Sequence, residues 1–150
     1  MKNFLGKILV FVVVLVLITG AAHASWTFSW INGGGKISWL KAVWVAAANG
    51  SVAEPTDTEK LGLQQSYFRD KYIWKVYTIP DSEAAPTANY DFTLKDFGID
   101  VLEGACADRS DSTTELVSKT TAFPAAPVFG ITGNLVGSAS GTVVLLLVGD

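Results

Sequence analysis

Tyr90-Asp91-Phe92-Thr93-Leu94-Lys95-Asp96-Phe97-Gly98-Ile99-Asp100-Val101-Leu102 is the stretch that decides the fold of this chain. Tyr90, Phe92 and Leu94 alternate with Asp91, Thr93 and Lys95, the period of a strand that turns one face to a core. Lys95-Asp96-Phe97-Gly98 supplies a turn, and Ile99 to Leu102 reads as the returning hairpin partner.

Toward the N-terminus the same texture continues. Pro80 to Thr87 is a loop bounded by prolines, and Tyr72 to Ile79, rich in β-branched and aromatic residues, is a strand. Glu54 to Gln65 is polar, contains Pro55, and predicts a loop or a short helical turn. Lys36 to Ala48 is apolar on both sides and is read as a strand with room for a bulge, helix being the alternative. Asn49-Gly50 is a hairpin signal, with Ser51-Val52-Ala53 beginning the return. Trp26, Phe28 and Trp30 alternate with Thr27 and Ser29 before the Asn32-Gly33-Gly34-Gly35 turn.

Toward the C-terminus, Gly104 to Ser112 is a loop and Thr113 to Val117 a short strand. Val128 to Val136 is expected to pair with Thr142 to Val148 across Gly137-Ser138-Ala139-Ser140-Gly141. The last run is apolar on both faces, which suits a central, covered strand. Short strands at this spacing, without an amphipathic helix, predict an all-β fold, an antiparallel β-sandwich or a partly open barrel.

The N-terminus has a different character. Lys2 and Lys7 precede the apolar run Ile8 to Ile18, and Ala22-His23-Ala24 closes the segment with small outer residues. This is the layout of a secretory signal peptide over residues 1–24, with cleavage after Ala24 and one domain over residues 25–150. A retained anchor is the competing reading, but a spanning helix needs roughly 20 apolar residues and this run is shorter. Ser25 stands where a lipoprotein would carry Cys. The expected location is the periplasm or the extracellular space, with no membrane association after cleavage.

Cleavage takes the net charge from −3 to −5 and removes the sole His and the sole Met. A mildly acidic domain without a basic patch is a poor nucleic-acid binder. Without His, the usual activation of a Ser or Cys nucleophile is closed, as are zinc sites built on His with paired Cys. Cys106 has no partner for an intrachain disulfide and reads as a small buried hydrophobe, an intermolecular link being the alternative.

The remaining candidates also have a plain reading. Trp26, Trp30, Trp39, Trp44 and Trp74 invite stacking on sugars, yet all lie in predicted strands, where large aromatics build cores. Asp108-Arg109-Ser110-Asp111-Ser112 is oxygen-rich but lacks the spacing of a calcium loop, and reads as a salt-bridged turn. Asp91, Asp96, Asp100, Glu103 and Asp108 could supply a hydrolytic carboxylate pair, but nothing marks two of them as converging. The chain is therefore expected to be no enzyme, with no catalytic, cofactor or metal residues.

Ala85-Pro86-Thr87-Ala88-Asn89-Tyr90-Asp91, with Leu94, Asp96 and Gly98-Ile99-Asp100-Val101-Leu102, forms a longer pattern. It resembles small structural-module proteins of tailed bacteriophages and prophages, which share Ala-Pro-Thr-x-Asn-Tyr-Asp-x-x-Leu-x-Asp followed by x-Gly-x-Asp-Val-Leu. Asp108-Arg109-Ser110, Thr114-Glu115, Pro127-Val128 and Gly141-Thr142-Val143-Val144 continue the likeness, and Trp44 to Val52 fits a strand-turn-strand upstream. The resemblance covers about residues 40 to 148. It implies a structural or accessory role, with self-association or other structural proteins as partners. The leader departs from that pattern, since a virion component assembled in the cytoplasm needs none. A host that recruited the domain for export would account for both features, and without export the chain belongs in a virion. The alternative function is a secreted or periplasmic binding module for a carbohydrate or surface ligand.

Overall fold

The computed structural model describes residues 23–32, 36–61, 63, 68, 70–133 and 135–149. The expected signal peptide lies almost entirely outside them. The strands are β1 (Ser25–Asn32), β2 (Ile37–Val45), β3 (Lys71–Pro80), β4 (Asp91–Asp96), β5 (Ile99–Asp100), β6 (Glu115–Ala122), β7 (Val128–Thr132) and β8 (Ser140–Gly149). The helix α1 (Asp57–Lys60) occupies the polar stretch where a helical turn was expected. Thr56 caps it, its hydroxyl accepting from Glu59 N at 3.3 Å while the Glu59 carboxylate accepts from Thr56 N at 2.6 Å.

The strands form two antiparallel sheets, one ordered β1-β2-β8-β3-β6 and the other β5-β4-β7, in a β-sandwich. Period-two patterning sets what faces inward. Along β2, Ser38, Leu40, Ala42 and Trp44 are buried, and their cross-strand partners on β8 include Val143, Leu145 and Leu147. That strict alternation settles β2 as strand rather than helix. The smaller sheet answers with Phe92 and Leu94 from β4 and Phe129 and Ile131 from β7. Phe129 lies 4.9 Å from Phe28 and 5.8 Å from Trp26 between ring centroids, and Tyr90 lies 5.8 Å from Trp44. Gly141 stands opposite Trp44 in the register, where a Cβ would come within 2.8 Å of the indole.

The β4–β5 hairpin forms as its sequence predicts. Phe97 (φ 48°) and Gly98 (φ 84°) both take the left-handed conformation, as a two-residue hairpin loop requires. The return is shorter than expected, ending at Asp100. The Asp100 carboxylate accepts from Leu94 N, Leu102 N and Gly104 N, which folds the chain after it into turns.

Two expected pairings are corrected. Val128–Val136 does not pair with Thr142–Val148, because β7 joins β4 in the smaller sheet while β8 lies between β2 and β3 in the larger one. With apolar side chains on both faces, β8 suits the centre of the larger sheet, whereas β7 buries only Phe129 and Ile131. Asn49-Gly50 does turn, with Gly50 N donating to Ala47 O at 2.8 Å, but no returning strand follows. Both edges of β2 are already taken, by β1 and by β8.

Candidate functional site

The larger sheet has a second face, turned away from the sandwich. Alternation places on it the residues between those of the core. They line up in rows across β2, β8 and β3: Ile37 with Val148 and Tyr72, Trp39 with Leu146 and Lys75, Lys41 with Val144 and Tyr77. Trp39 and Tyr77 lean together over β8, their centroids 6.1 Å apart, and leave Leu146 only 5% exposed. Leu116 of β6 continues the apolar surface beyond Tyr77.

A bulge in β3 between Ile73 and Lys75 re-aims the chain locally. It leaves Trp74 48% exposed beside Tyr72, itself 46% exposed. Lys75 Nζ sits 4.9 Å from the centroid of the Trp74 ring, a cation–π distance. Tyr72, Trp74, Ile37 and Val148 enclose an open groove of about 430 Å³ whose other walls include Thr120 and Gly149. At this end of the sheet Gly149 N donates to Lys36 O at 2.7 Å.

The electrostatics of this face are one-sided. Lys41 and Lys75 stand near its centre, whereas Lys36 and Lys71, the chain neighbours of Ile37 and Tyr72, have the opposite parity. None of the four makes an ion pair among the described residues, and the outward positions of β2, β3, β6 and β8 carry no carboxylate. In sequence, acids adjoin these strands at their ends: Asp70 before β3, Asp81 after it and Asp150 after β8. What this arrangement can do is bind: aromatic and aliphatic surface offers desolvation, and unpaired ammonium groups offer charge.

The tryptophans divide between core and surface. Trp26 and Trp44 are buried and Trp30 packs partly buried against the core, whereas Trp39 and Trp74 lie on the outer face. The sequence signal for that face was present in β2 and β8, which are apolar at both parities.

The carboxylates of Asp91, Asp96, Asp100 and Glu103 each have a partner within the fold, whereas Asp108 takes part through its backbone N–H. Arg109 donates to Ala107 O and lies 3.8 Å from Glu115, which also accepts from Ser110 N. Asp91 accepts from Asp108 N, Asp96 from Ala126 N, and Glu103 pairs with Lys119 at 2.7 Å. Among the described residues no group of three or more His, Cys, Asp or Glu is placed to hold a metal ion.

Two interior groups are chemically notable. Burial pushes the Cys106 thiol up to about 11, outweighing the nearby Arg109. The Tyr90 phenol is likewise raised by burial, and its hydroxyl lies toward Thr78 without a well-formed hydrogen bond. Tyr90 is almost fully enclosed, so no substrate reaches it.

No protein-family model, curated protein or solved structure matches this chain.

Proposed function

We propose that this chain is a non-enzymatic structural or accessory β-sandwich, of phage or prophage descent by resemblance and exported from the cell. It works by docking through the outer face of its larger sheet. The observation that carries the reading is the open apolar surface there, with Tyr72, Trp74, Ile37 and Leu116 exposed on one side of a sheet whose other side is the core. Monomeric proteins seldom leave a contiguous apolar patch of that kind unused. The engagement of the hairpin carboxylates with backbone N–H groups and with Lys119 supports binding over chemistry.

The test follows the chain in its native source after prophage induction. Peptide mass spectrometry would compare purified particles, periplasm, medium and envelope for wild type and for Trp74→Glu. Association of the wild type with one of these fractions, lost in the variant, supports the reading. An unchanged distribution overturns it. The N-terminal peptide decides the rest: one beginning at Ser25 supports export, and an intact Met1 end in particles would overturn it.

A second reading is favoured by one specific observation, the paired exposure of Tyr72 and Trp74 beside a groove. Such rings stack on sugar faces, so a carbohydrate-binding module is the alternative. Retention on a polysaccharide column, abolished by Trp74→Ala, would select it.

A further inference from the structure

The outer face joins an apolar groove at one end to lysines near its centre. The bed of the groove is Ile37, Tyr72, Trp74 and Val148, and of the lysines nearby Lys75 and Lys41 have the outward parity of that face. Lys75 Nζ lies over the Trp74 ring, 4.9 Å from its centroid. The chain as a whole is acidic, at −3, yet the outward positions of these strands carry lysine and no carboxylate.

Size and charge together select the occupant. Five strands at ~4.8 Å spacing and roughly 8–10 residues at ~3.3 Å give a face of about 600–800 Å², close to one side of a standard interface. A second copy packed face to face could cover that area. It would also bring Lys41 and Lys75 of both copies together at the centre with no acid between them, an arrangement penalised by burial of unpaired charge. A neutral glycan leaves the lysines unused. Interfacial rings with aliphatic side chains and lysines on the same surface match the boundary between acyl chains and anionic headgroups.

We propose that the outer face is a docking surface for an anionic phospholipid bilayer. Trp74, Tyr72 and Ile37 enter the boundary between headgroups and acyl chains, and Lys75 and Lys41 pair with lipid phosphates. The inference rests on the docking role of the outer face and adds a membrane partner to a chain whose sequence predicts none after cleavage.

The chain, purified in the form its source exports, would be sedimented with vesicles of phosphatidylcholine and with vesicles of equimolar phosphatidylcholine and phosphatidylglycerol. Binding is expected to the anionic vesicles alone and to weaken with added salt. Each Lys→Gln change at 41 or 75 should weaken it roughly fivefold, since one surface cation is worth about 1 kcal/mol near an anionic leaflet. Trp74→Ala should weaken it without altering the salt dependence. Urea midpoints matching wild type would establish that the variants are folded. Equal binding to both vesicle types, or none to either, overturns the lipid assignment. If vesicles are ignored while the same substitutions abolish association with particles, with an acidic protein or with a second copy, the docking reading stands and the lipid partner falls. If they change no association at all, both fall.

Discussion

Replacing Phe129 by Ala tests whether the sheets are stacked as described. Phe129 is fully buried, and its ring meets Phe28 at 4.9 Å, Trp26 at 5.8 Å and Phe92 at 6.1 Å. Two of those partners lie on β1 and one on β4, so truncation opens a cavity between the sheets. A buried Phe→Ala change costs about 3–5 kcal/mol, and three aromatic neighbours place this site near about 4. In a domain of this size, 1 kcal/mol lowers Tm by roughly 3–5 °C, so a fall of about 12–20 °C is expected. Phe129→Leu, which keeps most of the volume, should cost about 1–1.5 kcal/mol. Urea unfolding followed by tryptophan fluorescence reads both, because Trp26 and Trp44 are buried. A loss below about 1 kcal/mol for Phe129→Ala would refute the reasoning. It would mean that β7 is not clamped against β1, as in the hairpin with β8 that the sequence first suggested.

Other expectations concern stability and access. Burial raises the Glu59 carboxyl, but bonds from Trp26 N, Thr56 N and the Thr56 hydroxyl outweigh it and hold the group below its ordinary 4.5. Its stabilisation is therefore complete above that value and lost as pH falls through the lowered one; Glu59→Gln should flatten this part of a pH series of urea midpoints. Thr56→Ala should cost about 1 kcal/mol by removing the cap, measured by the same melts. Cys106 should resist a thiol reagent in the native protein and react fully in urea, and native labelling at a free-thiol rate would refute its burial. Gly98→Ala should cost about 1 kcal/mol from backbone conformation alone, since a Cβ there meets nothing within 4 Å. Gly141→Ala should cost more, about 2–3 kcal/mol, because its Cβ presses on Trp44.

Lys41 and Lys75 interrupt the apolar rows of the outer face, and Glu59 accepts from Trp26 N on β1, the outermost strand on that side, at 2.7 Å. Charges placed on a face and at a strand edge discourage uncontrolled pairing while leaving a specific partner its surface.

The local reading of the chain was largely legible in its residues. Alternation at Tyr90-Phe92-Leu94 and Trp26-Phe28-Trp30 specified which side chains share a face, and Phe97-Gly98 specified a tight hairpin, because those rules operate over a few residues. Of the two readings of the polar stretch Glu54 to Gln65, loop or short helical turn, the Thr56–Glu59 capping box formed the turn. The partners of β7 and β8 were not legible. Backbone N–H and C=O groups pair alike in any strand, so proximity in sequence favoured a hairpin that burial then overruled. The division of the tryptophans had the same origin. Period two places Trp39 and Trp44 on opposite faces of β2, but which face meets the smaller sheet depends on Phe129 and Tyr90, far along the chain. The sequence by itself determined strands, turns and the two-sided apolar character of β2 and β8. Only the tertiary structure decided which side became core and which remained an open surface, because that choice belongs to long-range packing.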